Sequence, residues 1–141
     1  MGIYATPYVN VAVSTGIYIA AEALGVLSSV RLPEHCLLTS VVVIDRDNEN
    51  DELDIVMYGR SPAGTADNAA YDPSDAELEE SLGSVTVSTY KAFANNSMAS
   101  VDNIGKGLWL PEGVLYLQCV TRATPTFTAT TDLRIRFVVV T

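Results

Sequence analysis

One histidine, two cysteines and eight basic residues are all that 141 positions offer of the side chains most often used to bind metals, attack carbonyls or hold phosphates. Zinc takes three or four ligands from His, Cys and carboxylates at close spacing, and Cys36 and Cys119 stand far apart with no CxxC or Cys/His pattern around them. Both cysteines fall in strand-like apolar runs and are expected as small buried thiols. His35, in Leu32-Pro33-Glu34-His35-Cys36, has no nucleophile within easy reach, because adjacent residues on a strand point to opposite faces. It reads as a turn-end histidine. No GxSxG elbow occurs, and Gly105-Lys106-Gly107 is too short for a phosphate-cradling loop and reads as a turn before Leu108-Trp109-Leu110.

Positive charge is scarce as well. Eight Lys and Arg against seventeen Asp and Glu leave a net charge of −9, which opposes a phosphate backbone, so no nucleic-acid partner is expected. No run approaches the ~18 apolar residues of a membrane span. The opening Met1-Gly2-Ile3-Tyr4-Ala5-Thr6-Pro7 lacks the basic and apolar regions of a secretory signal. A soluble product made in a cytoplasm is the expectation, and there the acceptor pattern Asn95-Asn96-Ser97 would carry no glycan.

What the chain does have is alternation. Val9, Val11 and Val13 share one face of an extended segment; Leu53, Ile55 and Met57 alternate with Asp54, Val56 and Tyr58; Val85 and Val87 alternate with Ser84, Thr86 and Ser88. Leu115, Leu117 and Cys119 repeat the pattern, and Leu133, Ile135 and Phe137 face away from Arg134 and Arg136. Period two is the signature of strands packed on a core by one face. Val41 to Ile44 is continuously β-branched and reads as a strand buried on both faces. The polar run Asp45 to Glu52 after it reads as a hairpin loop leading to the Leu53 strand.

One segment departs from period two. Ser74 precedes Glu77 by three positions, acids fill the first turn, Leu78 and Leu82 share a face, and Gly83 stands as a stop, which predicts a short surface helix over 74–82. About eight strands with Gly, Pro, Asn and Asp punctuation and one brief helix imply an all-β fold, an antiparallel β-sandwich of jelly-roll type. A barrel is the alternative. Residues 1–7 read as an N-terminal arm and 8–141 as a single β-sandwich domain, long enough to bury roughly two thirds of the unfolded chain's surface.

The candidate sites are few. Asp45, Asp47, Glu49 and Asp51 alternate oxygen ligands as a calcium loop would, but without the glycine and following helix of an EF-hand they read as a solvated hairpin tip. A second acidic group, Asp72, Asp75, Glu77, Glu79 and Glu80, reads as another solvated edge. Trp109, flanked by leucines, reads as a packed strand-end aromatic, with a carbohydrate platform as the alternative. Tyr58, Tyr71 and Tyr90 are expected to be exposed. An enzyme would have to rely on carboxylates such as Asp51 with Asp54, so no catalytic residue, cofactor or metal is assigned. Charged residues amount to 18% against about 25% in a typical soluble domain, which implies either a surface rich in Ser, Thr and Asn or one that partly faces a partner.

Several segments together resemble a family of small bacteriophage virion structural proteins. They are Tyr18 to Gly25, Ser40 to Asp47 followed by Leu53 to Tyr58, Thr65 to Leu78, and Val120 to Leu133. Where that family often has Gly-Asp in the first segment, this chain has Glu22-Ala23. The resemblance implies a structural role with no catalytic residues and does not fix the virion part. Together with the low charge fraction and the N-terminal arm, it leads to the expectation of a capsid decoration or cement protein on the outer head surface, bound to the major capsid protein, as a homo-oligomer such as a trimer. A tail, neck or fibre component, or a glycan-binding jelly roll, is the alternative.

Overall fold

Two long strands carry the alternation into three dimensions. The computed structural model describes residues 2–141, and among these are eleven strands and one helix: β1 (Ile3–Ala5), β2 (Val9–Val11), β3 (Ala23–Arg31), β4 (His35–Asp45), β5 (Leu53–Tyr58), α1 (Asp75–Glu79), β6 (Ser81–Val87), β7 (Tyr90–Ala92), β8 (Ser97–Val101), β9 (Lys106–Trp109), β10 (Val114–Thr121) and β11 (Leu133–Val140). In the first sheet β4 and β11 lie side by side at the centre. β1 and β2 follow one another along the free side of β11, and β9 and β8 do the same along β4, with β7 outside β8. The second sheet runs β3-β10-β5-β6. Every pairing in both sheets is antiparallel.

One apolar cluster fills the space between the sheets, drawing Val41, Val43, Ile135 and Phe137 from the first and Ile55, Met57, Leu115 and Leu117 from the second. The fold is therefore all-β, with two antiparallel sheets in a sandwich-like arrangement. Val9, Val11 and Val13, the 53–57 set, Val85 with Val87, and the Leu115 and Leu133 sets all fall on the expected side of their strands.

Four local expectations are corrected. Val41 and Val43 are fully buried, but Val42 and Ile44 are half-exposed, because β4 packs on the core by one face only. The 46–52 segment is not a hairpin, since β4 belongs to the first sheet and β5 to the second, so the chain crosses between sheets there. The helix is shorter than 74–82. Its N-terminus is as expected, Ser74 Oγ accepting from the Glu77 amide and the Glu77 carboxylate from the Ser74 amide. It ends at Glu79 because Ser81 pairs with Tyr58 and Leu82 packs against the core, so sheet formation takes over residues the helical pattern had claimed. Finally, Ile3–Ala5 does not stand apart as an arm: it pairs with Val138–Val140, and the Thr6 hydroxyl accepts from the Phe137 amide.

Eleven strands are present where about eight were expected, and four of them, β1, β2, β7 and β9, span only three or four residues.

Candidate functional site

The two sheets differ in what covers their outward faces. On the second sheet the connection between β5 and β6, residues 59–80, folds back over the strands. Gln118, an outward residue of β10, is 1% exposed. Its side-chain carbonyl accepts from the Thr65 amide at 3.0 Å, and its amide donates to the Thr65 carbonyl at 2.7 Å. The Asp67 carboxylate adds a second tie, accepting from the Gly25 amide at 2.7 Å and the Tyr18 hydroxyl at 2.5 Å, and Asn68, Ala69 and Tyr71 bond the backbone of residues 21–23. Gly64, at φ +80, brings the backbone against Leu27 and Gln118 in a conformation a side chain would resist. Tyr58 is buried beneath the same segment, its hydroxyl on that of Tyr71.

The first sheet has no such cover. Its outward residues, fixed by register, include Ile3, Val140 and Leu37 in one row, Val138 and Ser40 in the next, then Arg136, Val42 and Ser100, then Asn10, Arg134, Ile44, Met98 and Lys91. Ile3 is 79% and Leu37 41% exposed, and the valines are half-buried. No carboxylate lies on these outward strand positions, although the chain carries seventeen. The charged groups there are Arg134, Arg136 and Lys91. The Arg136 guanidinium carbon sits 4.3 Å from the centre of the Tyr8 ring, a cation–π contact, and its buried Nε finds no hydrogen-bond partner among the described residues. A largely apolar face with two arginines on its central strand and a lysine on its edge is thus set on a molecule of net charge −9.

A second feature lies where the two sheets meet at β9. Trp109 is 56% exposed, against the expectation of a packed aromatic. With Pro111, Arg60, Ser61, Glu80 and Leu82 it lines a groove of about 380 Å³.

The remaining sequence candidates disperse. His35 is exposed at the start of β4, 3.7 Å from Glu34, and pairs in register with Trp109. Cys36 and Cys119 are buried free thiols; burial alone raises both, Cys119 up to about 12. The 45–51 acids are not a solvated tip. Asp45 is 2% exposed and accepts from the amides of Asp47, Glu49 and Asn50 at 2.9, 2.9 and 3.0 Å, so its carboxylate organises the crossing. Glu49 accepts from the Thr126 amide. Among the described residues no group of three or more His, Cys, Asp and Glu could hold a metal.

Asp54 is engaged by Arg122 at 2.6 Å and by Thr86 at 2.7 Å. The expectation of exposed tyrosines fails for Tyr58; Tyr71 and Tyr90 are partly buried, and burial raises both phenols. The turn at Glu22 is present without the glycine of the resembled pattern: Ala21 adopts φ 74 and the Glu22 carboxylate accepts from the Ile19 amide.

Sequence reasoning missed the bare outward face, though Arg134 and Arg136 opposite the buried Leu133 set were its visible trace. No family model matches the chain, nor does any curated protein or any solved structure.

Proposed function

We propose that this chain is a structural component of a bacteriophage particle, a decoration or cement protein that lays the outward face of its first sheet on the assembled head. The observation that carries the reading is that face: largely apolar, bearing Arg134, Arg136 and Lys91, and left uncovered while part of the opposite face lies under the chain's own 59–80 segment. Contiguous exposed apolar surface on a soluble domain marks an interaction site, and the basic side chains favour an acidic partner surface. The resemblance of four segments to small virion proteins names the setting, the major capsid protein as partner and a trimer as the arrangement.

A jelly-roll connectivity fits the same reading. The chain changes sheet at β2 to β3, β3 to β4, β4 to β5, β6 to β7, β9 to β10 and β10 to β11, the repeated exchange that double Greek-key sandwiches use. Binding the assembled shell but not dispersed subunits would stabilise it by mass action.

Protein analysis of purified particles is the test. The chain is expected at a copy number that decorates a shell, and Leu37→Glu and Met98→Glu, both at exposed positions, are expected to abolish re-addition to stripped heads while leaving the thermal midpoint within a few degrees. Absence from particles, or a few copies per particle, overturns the cement reading. Light scattering on the isolated protein tests the trimer separately.

A further inference from the structure

We infer that the groove beside Trp109 is a carbohydrate-binding site, taking a pyranose ring whose flat apolar face stacks on the indole. This goes beyond the structural role and does not depend on it.

Sugar rings are recognised by two things together. One is an exposed aromatic face, because the axial C–H groups of one side of the ring form an apolar patch. The other is a rim of both donors and acceptors, because each hydroxyl is both. The groove supplies both. Trp109 is exposed with Pro111 and Leu82 beside it. In the same groove Arg60 supplies guanidinium donors and Glu80 carboxylate acceptors. Neither takes part in an ion pair among the described residues. At about 380 Å³ the groove falls within the range of small-molecule sites.

The walls are also held in place. A Cβ on Gly59 would come 3.1 Å from the Trp109 carbonyl, so glycine lets the two backbones lie close and sets the tryptophan beside Arg60. The 60–63 turn is tied to α1 by Glu77, whose second carboxylate oxygen accepts from the Ala63 amide at 2.7 Å. That bond, with those from Ser74, holds the Glu77 carboxyl below the usual carboxylate range. Little ordering therefore remains to oppose binding.

Trp109 is the sole tryptophan of the chain, so its fluorescence reports the groove directly. The probes are an array of host and bacterial surface glycans, followed by titration with the oligosaccharide that binds best. A saturable blue shift of the emission is expected. By calorimetry, Trp109→Ala should weaken binding about tenfold or more, and Arg60→Ala or Glu80→Gln several-fold, with unfolding midpoints unchanged because all three side chains are exposed. Two outcomes overturn the assignment: no glycan shifts the emission saturably, or a glycan binds and all three variants retain wild-type affinity. A Trp109 that ignores every glycan but becomes shielded when the protein joins phage heads reassigns the groove to a protein contact.

Discussion

At the residue scale the buried acid Asp45 and its neighbours set the terms. A carboxylate that is 2% exposed survives because three amides point at it. Asp45→Ala leaves those donors unanswered, and a loss of about 2–3 kcal/mol in denaturant unfolding is expected. Glu49 and Asp51 work in the opposite sense. Burial, then neighbouring acids including Asp45, raises both carboxyls, so the folded state binds their protons more tightly than the unfolded chain does. Their charged forms oppose folding at neutral pH, and that opposition fades as pH falls through the raised folded values toward the ordinary carboxylate range. Glu49→Gln retains an acceptor for the Thr126 amide and removes the charge. It should match or exceed wild-type stability at pH 7, with the advantage vanishing in mild acid when melting curves are compared across pH. The cysteines give a second residue-scale test. With the Cys119 thiol pushed up to about 12 and fully enclosed, a thiol reagent at neutral pH should leave it unlabelled until denaturant is added.

At the element scale the 59–80 connection is a cover held by several ties, with Gln118 and Asp67 supplying the side-chain ones. Gln118 holds Thr65 by two hydrogen bonds, and Gln118→Ala should cost about 1–3 kcal/mol while hydrogen exchange at the Thr65 amide and around Tyr71 accelerates far more than in β4 or β11. A uniform acceleration across both sheets would show that the cover is part of the global core instead. The short helix in that cover shows how sequence and sheet compete. Its start was legible because a capping box is a local device, written in Ser74 and Glu77. Its end was not, because Ser81 is claimed by Tyr58, more than twenty residues earlier in the chain, and no local pattern announces that pairing. The crossing after β4 was misread for the same reason: polar turn residues mark a change of direction but not which sheet the next strand joins.

At the scale of the whole molecule, first and last strands close the larger sheet together. β11 is held by β4 on one side and by β1 and β2 on the other, so the chain's final segment is central in space. Deleting residues 133–141 should abolish cooperative unfolding, because Leu133, Ile135 and Phe137 all leave the core. Deleting 2–5 removes only an exposed edge strand and should lower the midpoint by a few degrees with the transition intact, as circular dichroism would read. The molecule is also electrically lopsided, with Arg134, Arg136 and Lys91 on one sheet face and acids in the 45–54 and 72–80 segments.

Sequence alone determined the all-β class, the inward set of most long strands, the buried thiols and the start of the helix, because each follows from period two or from contacts within a few residues. Tertiary structure decided which sheet each strand joined, that Asp45 would be buried while Trp109 stayed exposed, and that only one sheet would be covered. Those outcomes depend on pairings between distant segments, where a residue's environment is set by what the rest of the chain brings beside it.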